Sequence, residues 1–360
     1  MRRLRRLRRF EHGGEIFDAS KRTEIPFKKI IDFSASINPL GISKKAELAI
    51  RTGYKKIVHY PEPFSRTLSE KIGEALRLPP ECIIPSNGST ELIYLIPRAL
   101  RPKTVLIHEP TFSEYERAAL LAGARVKNIN GLSFKGKEFL KALKKVDMAF
   151  LCNPNNPTGE LIEREVLLEI AERAKSSRCF LIVDEAFIDF APDGTFISEA
   201  KRNPYLIVLR SLTKFYALTG LRAGYAVSAP ETAKRIMHAK EPWAVNTLAA
   251  EAAMASIRDK GYAEKTHSLI KREKAFIERE LEKAGVWFFP SSANFYLIRI
   301  KMAGAFRKEL FKKGILIRDC SNFKGLGRDY LRFAVKGRRE NVRLISELND
   351  FISPVSSSRQ

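Results

Sequence analysis

Five short apolar runs, Thr104-Val-Leu-Ile-His108, Val146–Cys152, Cys179–Val183, Tyr205–Leu209 and Gly224–Ser228, recur along the middle of the chain with helix-length stretches between several of them. Each run is too short for a helix and too continuously apolar for a strand with one wet face, so each reads as a strand buried on both sides. The intervening stretches, clearest at Glu163–Lys175, carry the amphipathic spacing of covering helices. Alternation of this kind predicts an α/β fold with a mostly parallel sheet between helical layers. Beyond it, residues 231–285 have a helical pattern with a break near Gly261, and Phe295–Ile300, Ile315–Arg318 and Tyr330–Val335 read as further strands interleaved with two helices. The expected organisation is a basic overhang over residues 1–11, a turn-rich segment over 12–45 joining a small domain, a large domain over 46–258, and the small domain itself over 259–353.

Several classes of function are disfavoured early. No apolar run reaches the ~18–20 residues that span a bilayer, so no membrane role is expected. Cys82, Cys152, Cys179 and Cys320 are scattered with no Cys-x-x-Cys pair, and the five histidines are dispersed. That spacing predicts reduced thiols in a cytoplasm and no metal centre. The balance of 64 basic against 41 acidic residues, a net +23, favours anionic partners. Its densest part, Met1-Arg-Arg-Leu-Arg-Arg-Leu-Arg-Arg-Phe10, lacks the apolar core of a secretory signal. It reads either as an arm for nucleic acid or a membrane surface, or as a solvated overhang; the second is favoured because like charges in a block repel.

The chemistry concentrates at Ser211-Leu-Thr-Lys214-Phe-Tyr-Ala-Leu-Thr-Gly-Leu-Arg222, directly after an apolar strand. A lysine there, with a hydroxyl before it and a guanidinium after it, suits a phosphorylated aldehyde. The amine can condense with the carbonyl, while Ser211 and Arg222 hold the phosphate. Pyridoxal 5'-phosphate answers that description, and it also requires an acid beside its pyridine nitrogen. Asp184, ending the run Phe180-Leu-Ile-Val-Asp184, supplies one. The Ser-x-x-Lys spacing alone also opens a penicillin-binding signature, but no Ser-Asp-Asn or Lys-Thr-Gly follows.

Other segments extend the site. Asn87-Gly-Ser89-Thr90-Glu91 precedes an amphipathic run and is expected to start a helix, either as a plain cap or as an anion site. Asn153-Pro-Asn-Asn156-Pro-Thr-Gly159 makes a turn at the carboxyl end of a strand, where ligands of open α/β sheets collect. Asn156 is the expected donor to a ring oxygen, and the number of asparagines exceeds what a turn requires. Phe112 is the expected stacking face for the ring, with Tyr115 as the alternative. Arg318 and Arg332 lie in strand-like apolar segments, where a guanidinium needs either a carboxylate or a bound anion.

Taken together, these stretches resemble the fold-type I pyridoxal-phosphate enzymes of the aminotransferase class I/II group, over His12 to about Arg343. The combination of His12-Gly-Gly, Asp32-Phe-Ser-Ala-Ser-Ile-Asn-Pro-Leu-Gly41, Tyr60-Pro-Glu-Pro, Leu151–Gly159, Asp184–Phe190, Leu209–Leu218, Glu241–Asn246 and Ile317–Phe323 is most similar to the branch of L-threonine-O-3-phosphate decarboxylases of cobalamin biosynthesis, close to the histidinol-phosphate aminotransferases. The resemblance implies a homodimer with Lys214 as the Schiff-base residue and Asp184 as the pyridinium partner. It further implies that Asn156 bonds the ring oxygen and lies at the substrate. Ser89, Thr90, Ser211 and Arg222 would hold the phosphate, with Tyr60 reaching in from the second subunit. His12, Gly13, Ser36, Arg318 and Arg332 would line the site of a phosphorylated amino acid. The implied activity is decarboxylation of O-phospho-L-threonine, with a histidinol-phosphate or other phospho-amino-acid aminotransferase as the alternative. Ser36 departs from the branch, which commonly carries asparagine there, and the arginine-rich overhang has no counterpart in it. A nucleic-acid partner is not expected.

Overall fold

A seven-stranded mixed sheet forms the centre of the computed structural model, which describes residues 13–353. The overhang over residues 1–11 and His12 lie outside the described residues. In chain order the strands are β1 (Ile31–Asp32), β2 (Ile83–Ser86), β3 (Thr104–Glu109), β4 (Arg125–Asn130), β5 (Met148–Cys152), β6 (Phe180–Asp184), β7 (Leu206–Ser211) and β8 (Gly224–Ser228), then β9 (Trp287–Phe288), β10 (Phe295–Arg299), β11 (Ile315–Leu316), β12 (Arg318–Asp319) and β13 (Tyr330–Ala334). The large sheet runs β2-β8-β7-β6-β5-β3-β4, and β8 alone is antiparallel to its neighbours.

The pleat divides each central strand between two cores. Leu106, Ala149, Leu151, Leu181, Val183, Leu206 and Val208 face one side, against helices Arg66–Leu76, Gly136–Leu143, Arg164–Ser176 and Thr247–Ile257. Their neighbours Val105, Ile107, Met148, Phe150, Ile182, Ile207 and Leu209 face the other, against helices Ser89–Leu100, Glu114–Leu121 and Pro230–His238. Burial on both faces is why these strands read as unbroken apolar runs.

Two strands of this sheet escape the sequence pattern. The edge strand β4 has the sequence Arg-Val-Lys-Asn-Ile-Asn and exposes its charged and polar positions, so it lacks the apolar signature. The other edge, β2, contains Pro85, which lacks an N–H and is tolerated where one side of the strand is unpaired. The helical region also divides differently from expectation. Gly261 lies inside helix Lys260–Lys283, and the break falls at Arg258–Asp259, where the Asp259 side chain accepts from the Tyr262 amide. A further gap at Ala239–Asn246 separates helices Pro230–His238 and Thr247–Ile257.

The C-terminal strands form an antiparallel sheet, β12-β13-β10-β9. The expected strand Ile315–Arg318 is split at Ile317. β11 pairs in parallel with β1 from the N-terminal segment, and β12 pairs with β13. Phe33 follows β1 and plugs the small core beside Ile270, Tyr296, Phe306 and Phe333. Its amide donates to Leu316 O (2.8 Å), and its carbonyl accepts from Ala334 N (2.8 Å). The next residues, Ser34–Ser36, are thereby carried to the cleft between the two sheets. Among the described residues no helix is long and apolar enough to cross a membrane, and all four cysteines are buried and free.

Phe33→Ala should lower stability by ~3–5 kcal/mol, the usual range for an aromatic truncated in a packed core. Urea unfolding followed by the fluorescence of Trp287, which lies on β9 of the same sheet, measures it. A loss below ~1 kcal/mol would mean that the small core closes around the gap.

Candidate functional site

Asp184, Cys152 and Ser211 end three neighbouring strands, and a cavity of about 340 Å³ opens over their carboxyl ends. The strand register places Asp184 beside Cys152. Asp184 is buried; its Oδ2 accepts from the Tyr115 hydroxyl (2.7 Å) and its Oδ1 from the Ala186 amide (3.0 Å). Burial raises its pKa to about 6, against the pull of these two donors and of Lys214. Lys214, three residues past the end of β7, stands in the cavity wall. Burial, then the cations Arg222 and Arg332, lower its pKa to about 8. An acid and a weakened amine therefore share one wall, as a base-bearing aldehyde requires.

One end of the cavity is built to hold an anion. Helix Ser89–Leu100 begins there, and its N-cap is Gly88, with φ of 75° and no side chain to cap the first amides. Ser89 is thus the first helical residue and does not cap the helix; its hydroxyl-bearing side chain and that of Thr90 line the cavity. The glycine is required. A Cβ at Gly88 would lie 2.6 Å from an Arg222 guanidinium nitrogen, and one at Gly224 would lie 2.6 Å from the Ser89 amide. Across the cavity the Ser211 and Thr213 hydroxyls are 2.7 Å apart. Hydroxyls, a guanidinium and the start of a helix are the donor set that could hold a phosphate.

The asparagines of the Asn153–Gly159 turn have separate tasks. Asn153 Oδ1 accepts from the Ile162 amide (2.8 Å), and Asn155 bonds the Pro110 carbonyl (3.0 Å), Thr158 (3.0 Å) and Thr111 (2.8 Å). Two of the three are fasteners of the turn, contrary to the expectation that a turn would not need so many. Asn156 alone faces the cavity, and its Oδ1 accepts from Arg332. Its amide nitrogen is the group left to donate. The two aromatic alternatives also separate. Tyr115 is fully buried, with its hydroxyl on Asp184 and its ring stacked on Phe150 (4.9 Å, 9°). Both line the cavity, but Phe112 is only half-buried and stands edge-on to Tyr115.

Arg318 and Arg332 stand directly opposite each other on β12 and β13, and both line the cavity. Arg332 donates to Asn156 and to the Ser34 carbonyl (3.0 Å), lies over the Phe295 ring, and forms no ion pair among the described residues. Burial lowers its pKa to about 10. Arg318 donates to Asn322 Oδ1 (2.9 Å). Gly13 and Ser36 complete this end; a Cβ on Gly13 would lie 2.3 Å from the Ser34 carbonyl, and Ser36 Oγ is buried with no hydrogen-bond partner. Tyr60 is 84% exposed against Trp243, outside the cavity wall of its own chain.

Sequence reasoning missed Thr213, Ser34 and the tie from Tyr115 to Asp184. Thr213 was readable as a second hydroxyl inside the Ser211–Lys214 stretch; the Tyr115 tie had no sequence signal. A donor set for phosphate, a carboxylate for a pyridine nitrogen and an amine for an aldehyde fit pyridoxal 5'-phosphate. The unpartnered Ser36 Oγ and Arg332 Nε, both buried, leave donors for a further ligand beside it.

The lowered Lys214 pKa has a consequence for stability. Between about 8 and 10.5 the unfolded chain holds the proton that the folded chain has released, so stability climbs with pH across that window. Below it the folded state carries a charge that is poorly hydrated. Lys214→Met should therefore raise the melting temperature of the cofactor-free protein at pH 7, by the equivalent of up to about 3 kcal/mol. The advantage should shrink as pH approaches 10.5; an advantage that does not change with pH would contradict the assignment.

Comparison with known proteins agrees with this geometry. The profile of aminotransferase class I and II matches residues 28–347. A threonine-phosphate decarboxylase of Salmonella typhimurium is 36% identical over 96% of this chain and 97% of its own. A histidinol-phosphate aminotransferase of Caldanaerobacter subterraneus subsp. tengcongensis is 35% identical over 82% of this chain and 84% of its own. The crystal structure of the histidinol-phosphate aminotransferase from Clostridium acetobutylicum superposes with a TM-score of 0.85 at 32% identity, covering 90% of this chain and 99% of that one. The chain belongs to the aminotransferase class I and II family, as a fold-type I enzyme that uses pyridoxal 5'-phosphate.

Proposed function

We propose that this enzyme decarboxylates O-phospho-L-threonine, giving (R)-1-aminopropan-2-yl phosphate and carbon dioxide for cobalamin biosynthesis. The observation that carries the reading is the facing pair of buried guanidiniums, Arg318 and Arg332, in the wall of the cavity that holds Lys214. Two cations side by side suit a substrate with two anionic groups, here a phosphate and a carboxylate. The full-length likeness to a threonine-phosphate decarboxylase supports the same choice.

The bound cofactor supplies an electron sink for whichever Cα bond stands perpendicular to its ring. What the chain supplies is position. Ser89, Thr90, Ser211 and Arg222 would hold the cofactor phosphate, Asp184 would face the pyridine nitrogen, and the Asn156 amide would donate to the ring oxygen. Tyr115 keeps the Asp184 carboxylate turned toward the ring. Arg318 and Arg332 would grip the two anionic groups of the substrate and so select which Cα bond is presented for cleavage. The Lys214 amine stands in the same wall, where as an ammonium it would give a proton to the carbon that loses carbon dioxide, so that a proton replaces the carboxylate. Tyr60, exposed on its own subunit, completes the phosphate site of a second copy in a homodimer.

The test is to incubate the holoenzyme with O-phospho-L-threonine in the absence of any keto acid and measure carbon dioxide. Release is expected, and borohydride should fix the cofactor to Lys214. The 35% identity to a histidinol-phosphate aminotransferase gives the rival outcome, amino transfer from the phospho-amino acid to a keto acid without gas release. Ser36→Asn should lower KM for O-phospho-L-threonine several-fold with the product unchanged, because the longer amide reaches a substrate that the serine hydroxyl meets only through water. An unchanged KM would make Ser36 a packing residue.

A further inference from the structure

Behind the phosphate cradle lies an ion pair that none of the chemistry above uses. Lys240 sits in the gap after helix Pro230–His238, and its side chain is only 2% exposed. Its ammonium bonds Glu91 Oε1, while Glu91 Oε2 accepts from the Asn87 backbone amide (2.6 Å). Glu91 is in the first turn of the helix whose N-cap is Gly88, one residue past Thr90. Its carboxylate thus closes the Asn87–Gly88 turn and at the same time puts a negative charge beside the amides that would receive a phosphate.

An acid in a first turn is ordinarily favourable, since it meets the positive end of the helix dipole. Here it would compete with a phosphate dianion for the same end. Lys240, which does not line the cavity, removes that conflict by cancelling the charge. The segment that carries it is itself anchored around the cradle. Asn246 Nδ2 donates to the Leu221 carbonyl (3.1 Å), next to Arg222, and Phe64 N donates to the Pro242 carbonyl (2.6 Å). Trp243, in the same segment, packs on Tyr60.

We infer that Lys240 is a positioning residue for cofactor phosphate binding, acting through Glu91. It lets the enzyme keep a carboxylate that shapes the Asn87–Gly88 turn without repelling the phosphate that the turn receives. The inference rests on the placement of the cofactor phosphate at Ser89, Thr90 and Arg222.

The experiment compares the dissociation constants of pyridoxal 5'-phosphate and of pyridoxal, which has no phosphate, on cofactor-free protein by absorbance titration. In Lys240→Met the uncancelled carboxylate should weaken the phosphorylated ligand by about tenfold or more, the scale of one charge acting over several ångströms at a partly buried site. Pyridoxal should bind as it does to the wild type. The double variant Glu91→Gln with Lys240→Met should recover phosphate affinity, because a glutamine oxygen still accepts from Asn87. Equal losses for both ligands, no loss for either, or no recovery in the double variant would overturn the inference. Should Lys240→Met fail to fold, Glu91→Gln alone decides: phosphate affinity is expected to hold or rise, and a selective fall refutes the inference. Arg222→Met is the reference. If it fails to distinguish the two ligands, the phosphate placement is at fault and the inference falls with it; if it does distinguish them and Lys240→Met does not, only the role of Lys240 is wrong.

Discussion

Charge buried in one cavity is the constraint on which this structure depends. Asp184, Lys214 and Arg332 all have pKa values displaced toward their neutral forms, and in each case burial is the largest cause. Such a cluster is costly to assemble in a folded chain unless a ligand of complementary charge shares it. The fold answers by placing the groups on different rigid elements. Asp184 ends β6, Lys214 follows β7, and Arg332 comes from β13 of the small sheet. No single element can relax to hydrate its own charge.

Rigidity at the floor of the site comes from the parallel sheet. Strands buried on both faces leave no slack in register, so the carboxyl ends of β5, β6 and β7 arrive together. Tyr115 then serves two layers at once. Its ring packs on Phe150 within the core and its hydroxyl holds Asp184, which couples the aim of the carboxylate to the packing beneath it. Buried Glu185 and Arg210 bond each other and the half-buried Asp189 and Thr195, and these bonds pin the loop that follows β6.

The cavity wall opposite the sheet is assembled from the small antiparallel sheet and the N-terminal segment. Asp32 Oδ1 accepts from Ser34 N (2.8 Å) and Ser34 Oγ (2.6 Å), which folds the chain after β1 into a tight turn. Asn38 then ties this segment to the catalytic loop, with its amide on the Lys214 carbonyl (3.0 Å) and its side chain on the Phe215 carbonyl (2.7 Å) and Thr266 (2.8 Å). A short polar stretch with no regular structure thus links the small antiparallel sheet to the loop after β7 at the cavity. Arg332 holds the same segment from the other side, through the Ser34 carbonyl.

Much of this was legible in the sequence. Continuous apolar runs announced the doubly covered sheet, because burial on both faces leaves no polar alternation. Lys214, Asp184 and Arg222 could be read because a charged side chain at the end of an apolar run has few roles in a core. Edge strands β2 and β4 were hidden, since a half-solvated edge carries no such pattern. Tertiary structure alone decided which asparagine of the Asn153–Gly159 turn faces the cavity, which aromatic steadies Asp184, and that Arg318 and Arg332 stand opposite each other. It also brought Lys240 to Glu91, 149 residues apart in the chain. Periodicity reports how a segment meets solvent; it holds no record of which distant segment supplies the partner, and in this enzyme the chemistry depends on those partners.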